Sequence, residues 1–127
     1  MTDRTARCSC GALSISTRGE PVKVSACHCA ACRKRTGSAF SVAVFFDIDR
    51  TTPDGPSGRY GRVGDSGQPL DFHFCPTCAS TVFWYPAMRP GWVGVAIGCF
   101  DDTSLRPTQA VYGHEARDWV TIAIEDG

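Results

Sequence analysis

The segment Cys27-His28-Cys29-Ala30-Ala31-Cys32 sets three thiols in one short run, and the fold turns on what such a run is for. The chain holds eight cysteines, and seven of them fall in tight clusters: this triplet, Cys8-Ser9-Cys10 near the start, and Cys75-Pro76-Thr77-Cys78 further on; Cys99 stands alone. Disulfide scaffolds spread their cysteines so that each bridge closes a long loop. The opening Met1-Thr2-Asp3-Arg4-Thr5-Ala6-Arg7 has no apolar core and does not read as a signal peptide. The expected location is therefore cytoplasmic, where structural disulfides are rare. Close pairs of thiolates suit a soft metal instead, zinc or an iron–sulfur cluster. The triplet spacing fits neither of the usual ferredoxin runs, so zinc is the favoured cofactor.

A structural zinc takes four protein ligands, whereas a catalytic one takes three and keeps a position open. Two pairs and one triplet divide most simply into two zincs per chain. Cys8, Cys10, Cys75 and Cys78 form a closed site that staples distant parts of the chain; Cys27, Cys29 and Cys32 form an open one. The alternative completes the triplet with Cys99. That residue sits in the alternating run Val93 to Phe100, where a lone cysteine reads first as core, so the open triplet is preferred.

The rest of the composition narrows the function. The chain has 127 residues, the length of a single domain spanning 1–127. Thirteen basic and thirteen acidic side chains give no net charge, which argues against nucleic acid as a partner. No apolar run reaches the roughly 20 residues needed to span a bilayer, so no membrane partner is expected.

Hydrophobic alternation predicts short strands over Gly11–Arg18, Val22–Ala26, Ala39–Ile48, Leu70–Phe74, Thr81–Tyr85, Trp92–Phe100, Val111–Tyr112 and Trp119–Ile124. One or two helical turns fit Ala30–Thr36, stopped by Gly37. Asp49–Pro69 is dense in Gly, Pro, Asp and Ser and reads mostly as loop, with a short strand near Arg59–Val63. The fold class is mainly β.

The residues that carry this reading also resemble a known family. Cys8-x-Cys10-Gly11, Cys27-His28-Cys29-x-x-Cys32-Arg33-Lys34-x-Thr36-Gly37-Ser38-Ala39-Phe40 and Phe74-Cys75-Pro76-x-Cys78 are similar to the glutathione-dependent formaldehyde-activating enzymes, the CENP-V/GFA domain family. Gly98-x-Phe100-Asp101-Asp102, Pro107 and Trp119-Val120 fit the same pattern. The resemblance implies an Mss4-like fold of packed β-sheets with short helical turns, stapled by zinc. It implies structural zinc at Cys8, Cys10, Cys75 and Cys78 and catalytic zinc at Cys27, Cys29 and Cys32. The implied activity condenses glutathione with formaldehyde to S-hydroxymethylglutathione, a carbon–sulfur lyase reaction in the reverse sense. One departure is Ala79, where the family usually has Gly; that position often needs a positive φ, which costs Ala more than Gly.

An open site with three thiolates suits a small substrate thiol such as glutathione, which the metal would activate toward an electrophile. Arg33, Lys34 and Arg35 follow the triplet and are candidates to anchor substrate carboxylates. The plain alternative is a solvated helix end, and three consecutive basic residues cannot all face one pocket. Ser38 and Phe40 are further candidates to line the pocket. His28, between two ligands, is expected to point away from the metal. The competing function is a non-enzymatic zinc-binding module that binds a protein partner, since fold does not fix function. A zinc-knuckle nucleic-acid binder and a thiol redox switch are lesser alternatives. The oligomeric state is not legible in the sequence.

Overall fold

The computed structural model describes residues 2–124. The domain expected over 1–127 extends at Met1 and at 125–127 outside the described residues. Among the described residues ten strands and one α-helix follow in order: β1 (Asp3–Arg7), β2 (Ser14–Arg18), β3 (Lys23–Cys27), α1 (Ala30–Thr36), β4 (Ser41–Asp47), β5 (Thr51–Asp54), β6 (Gly58–Val63), β7 (Pro69–Phe74), β8 (Thr81–Pro86), β9 (Trp92–Ala96) and β10 (Gln109–Val111). They build a three-stranded sheet, β1-β2-β5, and a seven-stranded sheet, β10-β3-β4-β9-β8-β7-β6. Every pairing is antiparallel except β10 with β3. The mainly β class read from the sequence is the class observed.

The two faces of the large sheet do different work, and strand alternation separates them. On one face Val24, Val44, Phe46, Val82, Phe83, Val93 and Val95 meet Ala6, Leu13 and Ile15 of the small sheet in a single apolar core. Each is nearly or fully buried. The other face carries a separate cluster of Ala43, Phe72 and Trp84, with Phe45 and Leu70 packed against it. This second face is the wall of a cavity. Gly94 keeps that wall flat: a Cβ there would lie 2.5 Å from Nε1 of Trp84.

Three expectations fail in instructive ways. The strand expected over Trp92–Phe100 ends at Ala96, and Ile97–Cys99 turns as a 3-10 helix. Phe100 then makes only an isolated bridge to Ala6. The strand expected over Trp119–Ile124 is not formed: these residues join no ladder among the described residues, and Trp119 is 74% exposed. β10 covers the edge beside β3, and 119–124 extend neither it nor another strand of either sheet. Conversely, β1 has a polar sequence with only Ala6 buried among its five residues. β5 occupies part of the supposed loop, with Pro53 tolerated on an edge strand.

Candidate functional site

Two turns bring the first thiol cluster together. In one, Cys8 N–H donates to Leu13 O at 3.0 Å, and Leu13 N–H donates to Cys8 Sγ at 3.3 Å. In the other, Cys75 N–H donates to Ser80 O at 2.9 Å, Ala79 N–H donates to Cys75 O at 2.8 Å, and Thr77 N–H donates to Cys75 Sγ at 3.4 Å. The Sγ atoms of Cys8, Cys10, Cys75 and Cys78 all lie within 4.8 Å of one another. Cys8 and Cys10 sulfurs are 3.7 Å apart, and Cys10 and Cys75 sulfurs 3.6 Å. A tetrahedral zinc with Zn–S bonds of about 2.3 Å has an S–S edge of about 3.8 Å. A disulfide needs about 2.0 Å, and all eight cysteines are free. The donor set therefore fits a tetrahedral thiophilic metal. The Ser80 hydroxyl, followed by backbone hydrogen bonding, holds the Cys78 thiol down to about 5, which favours the ligand form. Ala79 closes this turn at φ 67°, the left-handed conformation for which the family's Gly is suited.

The second cluster is local. Cys27 ends β3, Cys29 is the N-cap of α1, and Cys32 lies in its first turn, its N–H donating to Cys29 Sγ at 3.4 Å. The helix stops at Gly37, in the left-handed region at φ 67°, with its N–H returned to Arg33 O. The three Sγ atoms converge within 4.8 Å. This donor set also fits a thiophilic metal, with three ligands instead of four. Cys32 is held down to about 5, first by a hydrogen bond from the Cys27 thiol, against burial, and then by the Ser41 hydroxyl. Cys27 is pushed up by the same contact and by burial. Cys99 does not join the triplet. Its thiol lies 3.8 Å from Thr81 O and is pushed up to about 11 by burial, then by Cys8 and Cys78, which places it beside the first cluster.

All three triplet cysteines line a cavity of about 650 Å³ on the second face of the large sheet, within the size range of small-molecule sites. Its walls follow strand alternation: Ser41, Ala43 and Phe45 from β4, and Leu70 and Phe72 from β7. Arg35 and Arg62 enter it. The Arg35 guanidinium lies 4.6 Å from the Trp84 ring centroid and 5.0 Å from that of Phe72; burial, opposed by Cys32, draws its pKa down from the ordinary value. At the rim, Tyr112, also left-handed at φ 58°, donates its hydroxyl to Asp65, and that bond pushes the phenol up to about 12.

The four pocket candidates named from sequence, Arg33, Lys34, Ser38 and Phe40, are not among the residues lining this cavity. Arg33 donates its Nε to His28 O at 3.1 Å, Lys34 and Ser38 are exposed, and Phe40 packs on the His28 ring at 5.7 Å. His28 is 4% exposed and is not one of the converging donors. The cation that faces the triplet is the third of the basic run. Arg35 follows Cys32 at i+3, one turn along the same helical face, and that spacing was the available signal. Arg62 and Tyr112 reach the cavity from a distant strand and loop that carry no such local mark.

With this geometry in view, the comparisons are direct. The family model of the glutathione-dependent formaldehyde-activating enzymes matches residues 3–115, and the chain belongs to that family. Among solved structures, the crystal structure of a Rhodobacter sphaeroides protein has the same fold, with a TM-score of 0.62 at 19% identity, over 84% of this chain and 98% of that one. No curated protein matches the chain in sequence. No helix is long and apolar enough to cross a membrane.

Proposed function

We propose that the protein is a zinc-dependent carbon–sulfur lyase-type enzyme in the cytoplasm that joins a small thiol, glutathione or a relative, to a small aldehyde such as formaldehyde. The observation that carries this reading is the convergence of Cys27, Cys29 and Cys32 on a cavity of about 650 Å³ without a fourth cysteine. Cys27, Cys29 and Cys32 would hold the reactive zinc, and Cys8, Cys10, Cys75 and Cys78 the structural one. Bound at the triplet, zinc would lower the pKa of a substrate thiol and orient its sulfur. The sulfur lone pair then forms a bond to the carbonyl carbon. The π pair moves to oxygen, which takes a proton from solvent in place of the one the thiol released. Phe72 and Trp84 keep water from one wall, which raises the worth of the cavity's charges. Arg35, which faces the Cys32 sulfur, stabilises negative charge at the triplet.

The protein-binding module is the weaker reading: a closed four-thiol triplet would favour it, and Cys99 lies elsewhere. Zinc stoichiometry with an NMR titration of glutathione tests the proposal. Two zincs per chain, with glutathione shifting residues from Cys27 to Ser41, and formaldehyde consumed only when thiol is present, is the expected result. Two zincs with no response to any thiol would sink it.

A further inference from the structure

The reading of the triplet as a thiol site leaves open what else the substrate carries, and two guanidinium groups bear on that. Cys32 and Arg35 are three positions apart on α1 and share its face. Arg62 comes from β6, and its guanidinium carbon lies 5.3 Å from the centroid of the same Phe72 ring that Arg35 approaches at 5.0 Å. The two cations are therefore no more than about 10 Å apart on one cavity wall. Stacking on an aromatic face fixes the plane of a guanidinium while using none of its N–H groups.

Those N–H groups are in demand of an acceptor. Nε of Arg35 and Nε of Arg62 are both buried with no hydrogen-bond partner, and buried donors in folded proteins are nearly always satisfied. The cavity's two carboxylates have other neighbours, and the Cys32 sulfur that Arg35 faces belongs to the proposed metal set. Asp65 accepts from the Tyr112 hydroxyl, and a Glu115 carboxylate oxygen lies 3.8 Å from Nε2 of His114. Both guanidinium groups line the same cavity beside Phe72, and Arg is the side chain that binds a carboxylate in bidentate fashion.

We propose that Arg35 and Arg62 together hold a carboxylate of the substrate, so that the site selects acidic thiols over neutral ones. This rests on the reading of the triplet as the thiol site. The selection works through position: the sulfur is held by Cys27, Cys29 and Cys32, and the carboxylate one helical turn further along the same face. A neutral thiol reaches the same sulfur position but leaves the Nε donors of both guanidinium groups without an acceptor, and a buried donor left unsatisfied is unfavourable.

Cobalt(II) substitution supplies a readout independent of turnover, because a thiol entering the triplet shifts the visible cobalt bands. Glutathione, its diethyl ester and 2-mercaptoethanol are titrated into wild type, Arg62→Met and Arg62→Lys. The ester and 2-mercaptoethanol are expected to bind about 10- to 100-fold more weakly than glutathione, the worth of a charge-assisted hydrogen bond or two. Arg62→Met should cost glutathione a similar factor and leave the ester unchanged, and Arg62→Lys should restore part of the loss. An ester that binds as tightly as glutathione overturns the proposal, as does an Arg62→Met loss equal for both. Cobalt bands that respond to no thiol sink the underlying reading instead. Acetate titrated by NMR then judges the carboxylate site alone: shifts at Arg35 and Arg62 uphold it, and their absence overturns it.

Discussion

Replacing Ala79 by Gly is expected to stabilise this protein, although it deletes a side chain. Ala79 sits at φ 67° and closes the Cys75–Ser80 turn through its N–H to Cys75 O at 2.8 Å. The left-handed conformation costs a residue with a Cβ roughly 1–2 kcal/mol. Gly escapes that cost but loses more backbone freedom on folding, worth about 0.5–1 kcal/mol. The difference favours Gly by about 0.5–1 kcal/mol. In a domain of this size 1 kcal/mol moves Tm by roughly 3–6 °C, so Ala79→Gly should raise it by roughly 1.5–6 °C. The cleaner assay is urea unfolding of zinc-loaded protein followed by tryptophan fluorescence. The midpoint should rise with an unchanged slope, the mark of altered stability without altered compactness. Ala79→Val is the control: a β-branched residue is a true outlier at this φ, and its midpoint should fall. A glycine variant with an equal or lower midpoint would refute the claim that this turn is held against the preference of its own residue.

Three other perturbations probe different layers. Gly94→Ala drives a methyl into Trp84, whose Nε1 and Cε2 would lie 2.5 and 2.6 Å from it; overpacking of this kind costs about 1–3 kcal/mol, read as a lower urea midpoint together with a shifted tryptophan emission. The Asp102 carboxyl is held down to about 2, first by its hydrogen bond from Arg4 at 2.7 Å. Its folded pKa lies below its unfolded one, so its contribution is complete above about pH 4 and fades as pH falls toward 2. The stability gap between wild type and Asp102→Asn should close across that window, measured by urea unfolding at each pH; a constant gap would argue against the pairing. Graded chelation should remove the triplet metal first, since it has three protein ligands and opens on a cavity, and leave the near-ultraviolet circular dichroism intact. Loss of the four-thiol metal should then collapse that signal, because structural zinc binding is folding energy; one simultaneous loss of both metals and structure would contradict this order.

The fold class and the short thiol clusters were legible because both are written in local spacing, while the joining of Cys8 and Cys10 to Cys75 and Cys78 followed from the count of ligands a closed zinc needs. Thiols two or three positions apart converge whatever the rest of the chain does, and β2, β3, β4, β7 and β8 alternate strongly enough to be read. The misreadings have physical sources. Asp3–Arg7 forms a strand although four of its five residues are polar, because a strand at the end of a small sheet needs only Ala6 to reach the core. Trp119–Ile124 alternates well yet joins no ladder among the described residues, with Trp119 left exposed. Within the site, Arg33 and Lys34 follow the cysteines directly in sequence, yet a helix turns them away and brings Arg35 round. Arg62 reaches Phe72 because β6 pairs with β7, a register that local sequence does not encode.

The two thiol clusters also differ in how much chain must exist before each is complete. The triplet is closed by residue 32, and the helix that carries it needs nothing beyond Gly37 for its cap. The other cluster waits for Cys78, and Cys10 must find Cys75 across 65 residues. During synthesis the emerging chain therefore presents a complete three-thiol chelate well before the four-thiol one can form. The donor set that lines the cavity is thus local to one short segment, whereas the other exists only once two distant turns have met.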